Sequence, residues 1–236
     1  MHSLVTGLPE LDAKQGRIAA AMLHAPTLEH ISETLHRDPV PIVGVLFAPP
    51  FTKMASERII PRLGYLNSRT AKYIHFFCAG YCGYNNRPSV QQLGDIRYDD
   101  GTVIPWGFCQ RYFAEFVNGM ERNTSWRYSG EADLILVEPE YGFADRPPRL
   151  RFDEAIVFDI ESMVKDGSLD HPSRLFEAII GYARSHESGS TEDFSNRRGA
   201  RVIGEAAAEA ILDSLPKLAG RVLKRGMHYR VQNLQQ

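Results

Sequence analysis

The sequence predicts a mixed α/β domain with helical additions at both ends. Three observations carry that expectation. Short, wholly apolar runs recur through the middle of the chain, amphipathic segments separate them, and prolines or glycines punctuate the boundaries. At 236 residues the chain suits one large domain. A chain of this size buries roughly 70–75% of its unfolded surface, so it needs neither disulfides nor a structural metal to fold.

Residues 1–38 read as an N-terminal helical extension. Leu11, Ile18, Met22 and Leu23 fall near helical spacing over residues 9–24, and Pro26 opens a second helix carrying Leu28, Ile31 and Leu35. Asp38-Pro39-Val40-Pro41 ends it. The α/β core spans 39–186. Ile42 to Phe47 is continuously apolar, which predicts a strand covered on both faces. Residues 52–68 are expected to be helical, and Ile74 to Cys78 forms a second buried strand.

The segment Ala79–Pro105 is rich in Gly, Asn, Tyr and Asp and reads as one long loop, a length often tied to function. Helix returns over 108–121, with Cys109, Phe113, Phe116 and Met120 on one face. Leu134–Val137 and Ala155–Ile160 supply two more strands, and Pro172 starts a helix bearing Leu175, Phe176, Ile179 and Ile180. Residues 197–236 are expected to hold an Ala-rich helix and a basic tail containing Lys217, Arg221, Lys224, Arg225 and Arg230.

The core therefore reads β-α-β-α-β-β-α around a mixed sheet of about four strands. The first two strands should be parallel, because helices connect them, while the third and fourth can form a hairpin.

Phe47-Ala48-Pro49-Pro50-Phe51-Thr52-Lys53-Met54, followed by Ile59-Ile60-Pro61-Arg62-Leu63, resembles the first strand and first helix of the thioredoxin-like fold. The resemblance covers roughly residues 42–78. The family's redox pair would stand at Pro50, Phe51 and Thr52, where no cysteine occurs, and Gly130-Glu131-Ala132 lacks the family's proline before the third strand. The resemblance thus implies the fold without the redox chemistry. A flavodoxin-like or other open α/β sheet remains an alternative.

The formal charge of −2 disfavours a dedicated nucleic-acid or membrane-surface binder. Residues 1–118 carry 11 basic and 10 acidic groups, against 16 and 19 in residues 119–236, so neither half is polarised. Three cysteines favour a reducing compartment, and the cytoplasm is the expected location. Cys78 and Cys82 form a C-x3-C pair, but a zinc site has no second pair to draw on; burial of Cys78 is the preferred reading. His75, inside an apolar run, reads as a core histidine with one hydrogen bond. No phosphate-binding glycine loop or catalytic motif is present, and no metal or cofactor is expected.

Candidate binding residues gather at the carboxyl ends of the first two strands, where open α/β sheets bind ligands. They are Phe51, Tyr81, Tyr84 and Arg87, joined by Asp99, Asp100, Glu131 and Asp133 as a carboxylate group. Turn chemistry alone also explains the acidic residues. These features point to a non-redox interaction or ligand-sensing protein acting with a partner chain or a second copy of itself. The alternative is a small enzyme acting on a nucleotide or related metabolite at 79–105, with Asp99, Glu131 or Asp133 as acid/base groups or cation ligands.

Overall fold

Ile42–Phe47 has no polar residue to present to solvent, so it must be buried on both faces, and in the computed structural model it is the strand β2, buried along its whole length. Ile74–Ala79 (β3) is buried in the same way and pairs with β2 in parallel. The structure describes residues 22–25, 28–70, 73–83, 89–97, 103–141, 147–185, 204–215 and 228–235.

Around this pair the described residues build a mixed six-stranded sheet in the order β1-β3-β2-β7-β8-β9. Met22–Ala25 (β1) is parallel to β3. Asp133–Glu140 (β7) runs antiparallel to β2, and Arg149–Asp159 (β8) and Tyr229–Gln232 (β9) continue antiparallel. Leu28–Arg37 (α1), Leu63–Thr70 (α2), Gln110–Asn123 (α3), Ile160–Lys165 (α4), Pro172–Ser185 (α5) and Glu205–Asp213 (α6) are the α-helices. Alternation along the strands divides the core into two layers. On one face Phe47 meets Phe116 of α3 at 5.7 Å. On the other, Phe76 meets Phe176 of α5 at 5.2 Å. Gly44 permits that second packing, because a Cβ there would collide with the Phe76 ring.

The link from β2 to α2 is irregular for a covalent reason. Pro61 has no N–H, which interrupts the regular ladder. The chain accommodates it with a π turn over Ala55–Ile59, closed by the Ile60 N–H on the Ala55 carbonyl, and a 3₁₀ turn over Ile60–Arg62.

Four expectations need correction. Met22–Ala25 is strand, not the end of a helix, because its backbone pairs with β3; the remainder of the expected helix, 9–21, lies outside the described residues. The expected loop 79–105 instead contains Tyr81–Gly83 (β4), Gln91–Arg97 (β5) and Val103–Phe108 (β6), a second antiparallel sheet ordered β4-β6-β5. The main sheet has six strands where about four were expected. Arg230 belongs to β9 rather than to a free tail, while Lys217, Arg221, Lys224 and Arg225 lie outside the described residues.

Candidate functional site

Register brings several chain segments to one edge of the main sheet. Leu46 stands opposite Cys78, Phe47 opposite Asp133, Asp133 opposite Asp159, and Phe158 opposite Tyr229. The carboxyl ends of β2, β3 and β8 therefore lie beside the starts of β7 and β9.

The turn after β2 presents Phe51. Its chain is held by Thr52, whose N–H and hydroxyl donate to the Pro49 carbonyl at 3.0 and 3.1 Å; the same hydroxyl oxygen accepts the Ala55 N–H at 3.3 Å. Phe51 is 64% exposed, yet its ring meets Phe108 edge-on at 6.2 Å and Phe113 at 6.5 Å. These neighbours come from β6 and α3, and both are buried.

Tyr81 reaches the same cluster from below. Only 1% exposed, it packs on Phe108 at 5.4 Å and Trp106 at 5.8 Å, and its hydroxyl donates to the Ala48 carbonyl at 2.6 Å. Burial pushes the phenol well above its ordinary range. Tyr81 therefore supports the floor beneath Phe51 and offers no free contact of its own. Phe108 is the ring that joins the two.

Asp133 and Glu131 sit farther along the edge and face different partners. Asp133 is 3% exposed; its carboxylate accepts the Ser129 N–H at 3.0 Å and hydroxyl at 2.9 Å across a turn in which Gly130 has φ +91°. Burial raises its pKa to about 6 against those two donors, with Asp159 adding to the rise and Arg230 opposing it. Glu131 turns to Lys165 at 3.8 Å, which also holds Glu161 at 3.0 Å. A hydrogen bond with the Glu161 carboxyl, followed by burial, raises the Glu131 pKa.

Asp159 caps α4 through the Ser162 N–H at 2.9 Å and hydroxyl at 2.7 Å. Beyond it Ser162, Lys165, Asp166 and His228 line an open depression of about 460 Å³. The His228 imidazole donates to the Asp166 carboxylate. Burial works to raise Asp166, but hydrogen bonds from Ser168 and His228 outweigh it and hold the carboxyl at about 2.

Tyr84, Arg87, Asp99 and Asp100 lie outside the described residues. Of the other expected contacts, Phe51 and Tyr81 both meet Phe108, whereas the Glu131 and Asp133 carboxylates engage different partners, Lys165 and Ser129. Among the described residues no three His, Cys, Asp or Glu side chains are disposed to hold a metal ion. Cys78 is buried, and burial pushes its thiol up to about 12. His75 is likewise buried, with Nε2 donating to the Asp38 carbonyl at 3.0 Å.

Sequence reasoning missed Phe108 as part of this platform because it lay at the border of an expected loop and helix. Asp159 was missed because it read as part of the strand Ala155–Ile160. Its spacing to Ser162 is a helix-cap signal that could have marked it.

No family model, curated protein or solved structure matches the chain. The helices among the described residues are not long and apolar enough to cross a membrane.

Proposed function

We propose that this chain is a non-redox α/β binding protein that works with a partner protein, through a surface centred on Phe51. The observation that carries the proposal is the pairing of exposure with rigidity. An exposed phenylalanine on a mobile tip would lose conformational freedom on binding, but Phe51 stands on Phe108 and Phe113 and follows two prolines. Aromatic anchors of this kind concentrate binding energy at protein interfaces.

We read the core as thioredoxin-like. The succession of β2, the helical turns and α2, β3, α3, β7, β8 and α5 supports this, with β4–β6 standing between β3 and α3. The antiparallel placement of β7 and β8 weighs against an all-parallel doubly wound sheet. Absence of cysteine at Pro50-Phe51-Thr52 and burial of Cys78 support a non-redox role. Three cysteines that form no disulfide fit a reducing, cytoplasmic setting.

The test is selection of a random peptide library on the immobilised protein, with Phe51→Ala as the counter-target. Expected are peptides that bind the unaltered protein and lose at least about tenfold in affinity on the variant, whose melting temperature stays near normal. Peptides that bind both proteins equally would remove Phe51 from the reading, and failure to enrich any peptide would count against a peptide-binding surface.

A further inference from the structure

The aromatic run that begins at Phe51 does not end at Phe113. The Phe113 ring meets Phe51 edge-on at 6.5 Å and Tyr128 edge-on at 5.4 Å, so it joins the two. Tyr128 is half-buried and rests on Phe47 at 6.2 Å and Trp126 at 6.0 Å, both buried. A glutamate stands at each end of Tyr128. Its N–H donates to the Glu121 carboxylate at 3.0 Å, and its hydroxyl donates to the Glu131 carbonyl at 2.7 Å.

Acid outweighs base at this end of the run. Glu121 and Glu131 are both partly exposed. Lys165 lies 3.0 Å from Glu161 and 3.8 Å from Glu131, so one ammonium serves two carboxylates. Arg127 turns its Nη1 to the carbonyls of Glu121, Thr124 and Trp126 at 3.0, 3.1 and 2.7 Å. Asp133, bonded to Ser129, adds a further acid below the surface, with Arg230 opposing it. At the Phe51 end the sign reverses, because Lys53 is exposed two residues on.

Resting on the Phe51 surface proposed above, we infer that its occupant is a peptide segment of a partner protein that brings an apolar side chain to Phe51 and a lysine or arginine to Tyr128, Glu121 and Glu131. A cation near an aromatic face is attracted by the ring quadrupole, and the carboxylates of the two residues that bracket the ring add to the pull. The two ring steps leave Phe51 and Tyr128 at most about 12 Å apart, a span that an extended chain rising about 3.3 Å per residue covers in about four residues. The apolar and basic residues of an extended partner should therefore lie within about four positions of each other. Lys53 sets the direction, since like charge disfavours a basic residue at the Phe51 end. What separates these glutamates from ordinary solvated charge is the half-buried ring fixed between them, itself continuous with an exposed anchor.

A random peptide library selected on the immobilised protein supplies the probes, with Glu121→Gln/Glu131→Gln testing the charge and Phe51→Ala testing the platform. Glutamine keeps an acceptor for the Tyr128 N–H, so the melting temperature should stay near normal. Recovered peptides should be enriched in lysine or arginine within about four positions of an apolar residue, and should bind the glutamine variant about fivefold more weakly or worse. Replacing the basic residue of a recovered peptide by norleucine should weaken binding to the unaltered protein by a similar factor and leave binding to the glutamine variant unchanged. The peptide comparison on the unaltered protein needs no variant, so it decides the matter even if glutamine lowers the melting temperature. Peptides that depend on Phe51 yet show no basic enrichment and bind the glutamine variant at full strength would overturn the basic partner and leave the Phe51 surface standing. Peptides that ignore Phe51→Ala, or a library that enriches none, would overturn both. Concentration-dependent self-association abolished by Phe51→Ala would assign the surface to a second copy of the chain and likewise overturn the basic-peptide assignment.

Discussion

The Tyr81 hydroxyl donates to the Ala48 carbonyl at 2.6 Å, joining the start of β4 to the residue that follows β2. Both groups are buried, and the bond closes the floor on which the Pro49-Pro50-Phe51 turn rests. Tyr81→Phe keeps the ring packing but leaves a buried carbonyl without its donor. A loss of about 1–3 kcal/mol is expected in urea unfolding. A loss near zero would mean that water replaces the hydroxyl and that the turn does not depend on it.

Phe51→Ala makes the complementary prediction. Because the ring is 64% exposed, its removal forfeits two edge-on contacts and little burial. Stability should fall by less than about 1 kcal/mol. A larger loss would assign Phe51 to the fold rather than to a contact surface.

Asp133 sets a pH dependence whose sign follows from its raised pKa. The fold prefers the protonated carboxyl, so this contribution is complete below the unfolded value of 3.8 and is lost as pH rises through about 6. Its size is at most about 3 kcal/mol. Asp133→Asn should remove the dependence. The difference in stability between variant and parent should shift in the variant's favour between about pH 4 and pH 7. A flat difference curve would show that Asp133 ionises normally in the fold.

What the sequence disclosed follows from how each segment meets solvent. Ile42–Phe47 and Ile74–Ala79 were legible because strands buried on both faces need unbroken apolar runs. Gln91–Arg97 was not: Gln91, Gln92 and Asp95 are exposed, and a bulge near Gly94 interrupts its register, so its composition imitates a turn. Tyr229–Gln232 was hidden for a similar reason, since Arg230 is exposed and only one side of the strand meets β8. Met22 and Leu23 fitted a helical spacing that pairing with β3 overrode. At the site, Phe51 was visible from its position after β2. Tyr81 was identified but misread, because a tyrosine just past an apolar strand gives no sign that its hydroxyl is satisfied internally.

Gly80 tests the junction between the two sheets. Its φ of +78° is a conformation that L side chains rarely adopt. A Cβ there would also lie 2.6 Å from Phe113 Cβ and 3.0 Å from Phe113 Cα, so α3 would have to retreat. Gly80→Ala should cost about 3 kcal/mol or more, seen as a lower midpoint in urea. A cost below about 1 kcal/mol would show that α3 moves freely relative to β3.

The thiols provide the last test, because reactivity separates the three cysteines by their surroundings. Cys78 is fully buried, and its pKa of about 12 leaves almost no thiolate at neutral pH. Cys109 is 2% exposed, and its N–H is tied to the Gly80 carbonyl at 2.9 Å. Cys82, half-buried on β4, is the only one of the three with appreciable surface. In the native protein a disulfide reagent such as Ellman's should therefore modify Cys82 first, with Cys78 and Cys109 following only as the fold opens; denaturant should release all three together. The same ordering predicts no turnover in an insulin-reduction assay, since exchange requires a thiolate and a neighbouring thiol that can resolve the mixed disulfide. Rapid native modification of Cys78, or insulin reduction abolished by Cys78→Ser or Cys82→Ser, would restore a redox role and remove the non-redox reading.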